Sequence, residues 1–134
     1  MNFTRTTSYS LNVLSYMAKY DDARMSVSHL HNQLKIPYSY LRTILGNLKR
    51  SHLVDSIKGR SGGFKLGRDK TEIFMADIIN VTEGLGSFSK CLMGFSECPF
   101  NQGCYIHPVW MRMREEIMNI LQKTSLADLL AKRE

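Results

Sequence analysis

Hydrophobic residues recur every three or four positions over residues 6–20. Leu11, Leu14, Met17 and Ala18 fall on one side there and predict an amphipathic helix. Asp21, Asp22 and Arg24 interrupt the pattern with a polar connection. Ser26 or Ser28 can then cap a short second helix that turns Leu30 and Leu34 inward. Lys35-Ile36-Pro37 ends it, because proline disfavours helical geometry in the residue before it. Ser39 stands where a cap is wanted for a third helix reaching about Ser51, with Leu41, Ile44, Leu45 and Leu48 as its apolar stripe. Tyr40, Arg42, Thr43, Asn47 and Lys49 are left on the outward face.

The pattern then changes. Val54, Ile57, Phe64 and Leu66 lie in two short strand-like runs around Lys58-Gly59-Arg60-Ser61-Gly62-Gly63, which predicts a hairpin with a basic tip. Helix, turn, helix and basic hairpin in this order predict a winged helix-turn-helix, whose third helix enters the DNA major groove while the wing follows the backbone or minor groove. Residues 71–84 carry another short helix around Ala76–Thr82, stopped by Gly84. The longest helical pattern runs from about His107 to Lys123. Trp110, Met113, Ile117, Ile120 and Leu121 recur near heptad spacing, and Met111 and Met118 widen the apolar surface. A helix apolar on more than one side buries more than one contact, so these residues predict a two-fold homodimer packed through this helix. Thr124 or Ser125 caps a final helix through Leu126, Leu129 and Leu130. The expected fold is mainly α with a small β-hairpin wing, a winged helix-turn-helix joined to a long dimerisation helix. Residues 1–84 form the DNA-binding region, 85–106 a ligand-bearing loop, and 107–134 the dimerisation and C-terminal helices of one compact domain.

Charge sharpens this reading. The net charge is +6, yet residues 35–70 hold nine Lys or Arg against two Asp, a local surplus of seven. The rest of the chain therefore sums to −1, and the basic segment coincides with the third helix and the wing. Ser39, Tyr40, Arg42 and Thr43 are the expected base readers at the start of that helix. Lys49, Arg50, Lys58, Arg60 and Lys65 are expected on phosphates, with Arg60 at the wing tip able to enter a narrow minor groove. No run approaches the roughly 18 apolar residues of a membrane span. The N-terminus lacks a signal peptide's apolar core, which predicts a cytoplasmic protein with no membrane partner.

All three cysteines of the chain crowd into one stretch with a histidine: Cys91, Cys98, Cys104 and His107, spaced C-x(6)-C-x(5)-C-x(2)-H. Gly, Pro, Asn and Ser around them favour a loop. Three thiols cannot all pair within one chain, so ligation or thiol chemistry is the better reading than a disulfide framework. Soft anionic sulfur suits an iron–sulfur cluster, and a histidine in place of one thiolate leaves a neutral, protonatable ligand. Structural zinc also accepts three sulfurs and one nitrogen, though with closer ligand pairs. Cluster, zinc and metal-free thiols all stay open on spacing, with the wide intervals favouring the cluster. An enzyme is not expected, because there is no close C-x-x-C pair, phosphate-cradling glycine loop or acid–base constellation. His29, His31 and His52 read as surface histidines on the DNA-binding unit.

The stretches FTRTTSYSLNVLSYMA and IPYSYLRTILGNLKRSHLVDSIKGRSGGFKLG, the three cysteines and the ending KTSLADLL resemble the IscR/NsrR-type iron–sulfur transcription regulators of bacteria. The likeness runs almost end to end. It implies a homodimeric winged-helix repressor or activator with crossed dimerisation helices and a cluster in the loop before the long helix. Cys91, Cys98 and Cys104 match the family's cysteine ligands, and His107 matches the histidine that completes a 2Fe-2S site in IscR-type members. The first cysteine interval is one residue longer than in the IscR-type pattern. Ser8 and Asn12 stand where other members carry N-terminal ligands, which favours 2Fe-2S over 4Fe-4S here. Arg42 replaces a glutamate of the IscR type, implying a different target sequence. The expected function is a homodimeric, DNA-binding transcription regulator switched by a cluster that senses redox, nitric oxide or iron–sulfur status, on a two-fold symmetric double-stranded operator. The alternative is a constitutive winged-helix repressor with structural zinc or a metal-free thiol-sensing site.

Overall fold

Helix α1 (Arg5–Lys19) begins at Thr4, whose hydroxyl accepts the Thr7 backbone N–H and so caps the first turn. Val13, Leu14, Met17 and Ala18 on its inner face are buried, and Leu11 is half-buried beside them. The computed structural model describes residues 3–20, 23–86 and 90–131, so the connection expected at Asp21 and Asp22 lies outside the described residues. Helix α2 (Val27–Leu34) is capped by the Ser26 hydroxyl, the first of the two candidate serines, and ends at Lys35 in a left-handed conformation. Helix α3 (Tyr38–Arg50) starts one residue ahead of Ser39, with Pro37 at the cap position and no side-chain cap. Ser39 therefore lies inside the first turn instead of capping it. The fixed φ of proline prepares the helix start without a hydroxyl acceptor. Leu41, Ile44, Leu45 and Leu48 are all buried.

Strands β1 (Val54–Ile57) and β2 (Gly63–Leu66) pair antiparallel, with Val54 opposite Leu66 and Ile57 opposite Gly63. A third segment joins them. Met25 exchanges two backbone hydrogen bonds with Phe64, at 2.9 and 2.8 Å, so the root of the wing is pinned to the segment ahead of α2. Gly63 has φ +151°, and a Cβ there would stand 2.6 Å from the Met25 carbonyl oxygen, so this close approach requires glycine.

Helix α4 (Met75–Thr82) follows a short 3-10 turn over Lys70–Glu72. Helix α5 (Ile106–Lys123) is 18 residues long, about 27 Å at 1.5 Å per residue. Helix α6 (Leu126–Leu130) opens with a reciprocal cap in which Ser125 and Asp128 satisfy each other's backbone N–H groups. The backbone of Ile73–Met75 pairs with Thr124–Leu126, which returns Leu126 to the main core under α1. That core also holds side chains from α1 to α4 and from β1. A smaller core of Ala76, Ile79 and Leu121 ties α4 to the C-terminal half of α5. Helix α6 thus belongs to the same packed body as the wing.

The two ends of the winged unit are joined by a polar contact. The Glu83 carboxylate after α4 accepts the Thr4 backbone N–H at 2.9 Å and the buried Thr7 hydroxyl at 2.6 Å. Burial alone would raise the Glu83 carboxyl, but these donated hydrogen bonds outweigh it and hold the group below its usual range. A depressed folded-state value means the contact stabilises the fold above the unfolded carboxyl range and is lost as pH falls through the folded one. Glu83→Gln is expected to cost about 1 kcal/mol at neutral pH, allowing for solvent screening. Wild type and variant should converge in urea melts as pH drops towards 3; a constant gap across that range would disprove the linkage.

Candidate nucleic-acid interface and cysteine cavity

Ser39, Arg42, Thr43, Lys49 and Arg50 are exposed on α3, and Lys58 and Arg60 are exposed at the wing tip. With Lys65 of β2, also exposed, eight of the nine expected DNA-contacting side chains are outward. The ninth is corrected. Tyr40 turns towards α1, where its hydroxyl is hydrogen-bonded to the Thr6 hydroxyl and its ring meets the edge of Tyr9 at 5.4 Å and 84°. An amphipathic pattern assigns Tyr40 to the outer face, but the packing of α1 across α3 captures it. Tyr38 was missed by the sequence reading and is 43% exposed, one turn ahead of Arg42. With Arg42, Gly46, Lys49, Val27 and Phe64 it lines a groove of about 490 Å³ between α3 and the wing. A Cβ on Gly46 would meet nothing within 4 Å, so the groove floor is open to close approach. The signal for Tyr38 is its i, i+4 relation to Arg42, hidden by a Ser39 cap that starts the helix two residues late.

Arg50 and Thr43 are partly engaged by their own helix. Arg50 Nη2 donates to Asn47 Oδ1, and the Thr43 hydroxyl donates to the Ser39 carbonyl at 3.2 Å. His29 and His31 have local partners: Nε2 of His29 lies 3.1 Å from the Tyr16 hydroxyl, and Nδ1 of His31 lies 2.6 Å from the Ile36 carbonyl oxygen.

Each cysteine opens a turn. The carbonyls of Cys91, Cys98 and Cys104 accept the backbone N–H groups of Gly94, Asn101 and His107, at 2.9, 3.4 and 3.4 Å. The last of these turns leads directly into α5 and sets His107 three residues from Cys104. Gly94, Asn101 and Gln102 take positive φ, which bends the chain back between the cysteines. In this conformation the Gln102 backbone N–H donates to Cys98 Sγ at 3.1 Å. All three cysteines are free and half-buried. Together with His107, Trp110 and Arg114 they line one cavity of about 320 Å³ at the start of α5. Among the described residues no three His, Cys, Asp or Glu side chains stand close enough to enclose a single ion. The donors are spread around a space instead. Three sulfurs, one imidazole, an N–H donated to sulfur and the cationic Arg114 line that space, a donor set that would fit an anionic iron–sulfur group. Neither Ser8 nor Asn12 lines this cavity; both are exposed on α1.

The expected dimerisation residues divide between two faces of α5. Leu121 is 8% exposed and Ile117 packs beside it against α4, so these two serve the chain's own core. Trp110 is half-buried, and its indole N–H donates to the Lys90 carbonyl at 2.8 Å. Met113 and Ile120 remain outward, 49% and 60% exposed. Heptad spacing does not separate these faces, because α4 decides which side is covered.

A family model described as Rrf2, iron-dependent transcriptional regulator, matches residues 3–132. The chain belongs to the Rrf2 family. It is 32% identical over 99 residues to the HTH-type transcriptional regulator IscR of Xenorhabdus nematophila, covering 74% of this chain and 60% of that protein. Its structure superposes on CymR, described as the global cysteine regulator of B. subtilis, with a TM-score of 0.79 and 27% identity, covering 96% and 95% of the two chains. T. potens IscR shares the fold at a TM-score of 0.75 and 24% identity, over 97% of this chain and 86% of that one. As an Rrf2 member the protein is a DNA-binding transcription regulator with a winged-helix fold, not an enzyme. No helix among the described residues is long and apolar enough to cross a membrane.

Proposed function

We propose that this Rrf2 regulator works as a homodimer whose grip on a two-fold symmetric operator is set by an iron–sulfur cluster held by Cys91, Cys98, Cys104 and His107, 2Fe-2S in preference to 4Fe-4S. The observation that carries this reading is the gathering of all four donors around one cavity at the root of α5. When bound, such a cluster supplies a tie that oxidant, nitric oxide or iron shortage breaks. The chain's residues do the rest. Cys91 and Cys98 fix the loop, while Cys104 and His107 fix it to the first turn of α5. Met113 and Ile120 meet the partner's α5. Orienting α5 orients the two winged units, and with them the spacing of the two α3 helices. Tyr38, Ser39, Arg42 and Thr43 then read base edges, and Lys49, Arg50, Lys58 and Arg60 hold phosphates or the minor groove.

The test is anaerobic reconstitution with iron and sulfide, wild type beside His107→Ala. The wild type is expected to be coloured and to bind its operator with an affinity at least tenfold different from the demetallated protein, a shift of about 1.4 kcal/mol. His107→Ala should alter the visible spectrum. An identical grip with and without the cluster would reduce the protein to a constitutive repressor, and a colourless protein with one zinc would assign the site to structure. A metal-free thiol sensor is the second reading. It is favoured by the likeness to CymR and by three unpaired, half-buried thiols. Failure to take up iron, together with an operator affinity that changes on thiol oxidation, would select it.

A further inference from the structure

The turns at Cys91, Cys98 and Cys104 are each closed by a bond to a residue three positions on, so none of them links the start of the loop to its end. The bond from the Trp110 indole to the Lys90 carbonyl does. It spans 20 residues, joining the residue before Cys91 to the first turns of α5. Closing a loop of this length costs configurational entropy that local turns do not recover. Cys91 is the ligand farthest in sequence from α5, so its position depends most on that closure. Trp110 also lines the cavity with all four donors.

We propose that Trp110 is a positioning residue that closes the cysteine loop onto α5 and keeps Cys91 on the cavity that Cys98, Cys104 and His107 also line, before any ligand is bound. The inference rests on the proposed ligand set but concerns the apo protein. Trp110 does not ligate. Its indole N–H organises the loop, so that a ligand meets donors already placed around one cavity and not a free chain. Through the same bond, a change in the loop at Lys90–Cys91 is felt in α5.

Trp110→Phe keeps an aromatic ring and removes the donor. In apo protein kept without oxygen, alkylation followed by mass spectrometry should show Cys91 reacting about three- to tenfold faster than in wild type, the effect of losing one ordinary hydrogen bond. Cys104, fixed by its own turn into α5, should change little. Half-loading with iron and sulfide should need correspondingly more iron, while the melting of the winged unit stays unchanged. A second measurement needs no variant. The chain has one tryptophan, so a single indole N–H resonance reports the strap in the wild-type apo protein. It is expected to exchange with solvent several-fold more slowly than a free indole. Unchanged Cys91 reactivity in Trp110→Phe, or an indole exchanging as if free, overturns the proposal. Should iron and sulfide never bind while Cys91 still becomes more reactive, the cluster reading fails and the strap stands. Should the cluster load equally in both proteins with Cys91 unaffected, the strap fails and the cluster reading stands.

Discussion

Met113→Glu with Ile120→Glu is expected to leave a folded monomer with its operator affinity lowered roughly 10²–10⁴-fold, the advantage lost when two half-sites are no longer engaged by one molecule. Both side chains are outward on α5, at 49% and 60% exposure, so the substitutions remove nothing from the two cores. In a two-fold interface each change counts twice, and every glutamate would meet an apolar surface without a partner charge. Leu121 is the one buried residue of this 18-residue helix among those described, and Met113 and Ile120 flank its side of the helix while staying exposed. Sedimentation with a parallel circular dichroism melt checks the outcome. A variant that stays dimeric and grips its operator at full strength would place the dimer contact elsewhere. Leu121→Glu is the informative contrast, because it should unfold the packing of α5 on α4 and not merely separate two subunits.

The second large effect is expected on DNA. Arg42→Ala should cost about 1–3 kcal/mol at one operator position and relax specificity there, as for the loss of a bidentate contact to guanine. Arg60→Ala should weaken binding to all sequences alike. It should also flatten the dependence of log K on log salt by about 2 for a dimer, near one counterion per protomer. The two substitutions separate reading from holding, and titrations on operator and scrambled DNA at several salt concentrations distinguish them. Loss confined to one base position in Arg60→Ala would move the wing tip from the backbone to the bases. Tyr40→Phe is expected to act differently from both. By removing the hydroxyl that meets Thr6, it should lower stability and leave operator preference unchanged.

The helices and the hairpin were legible because their signals are local. Leu41, Ile44, Leu45 and Leu48 repeat with the helical period, glycines flank the wing tip, and Pro37 marks the break between α2 and α3. The cysteine spacing likewise singled out Cys91, Cys98, Cys104 and His107, which line one cavity, while leaving cluster, zinc and metal-free thiols all open. The start of α3 lies two residues earlier than a Ser39 cap implies, with Pro37 at the cap position and no side-chain hydrogen bond there.

The sequence by itself determined which segments are helical, where the basic surface lies, and that three thiols and a histidine fall in one short stretch. The tertiary structure alone decided which side of each helix faces what. Tyr40 is held by Tyr9 and Thr6, Ile117 and Leu121 are taken by α4, and Met113 and Ile120 are left over. It also pinned Met25 to Phe64 as a third piece of the wing and drew Lys90 to Trp110. The reason is physical. Periodicity records that a residue prefers an apolar neighbour, but the identity of that neighbour is fixed only when segments distant along the chain compete for the same surface.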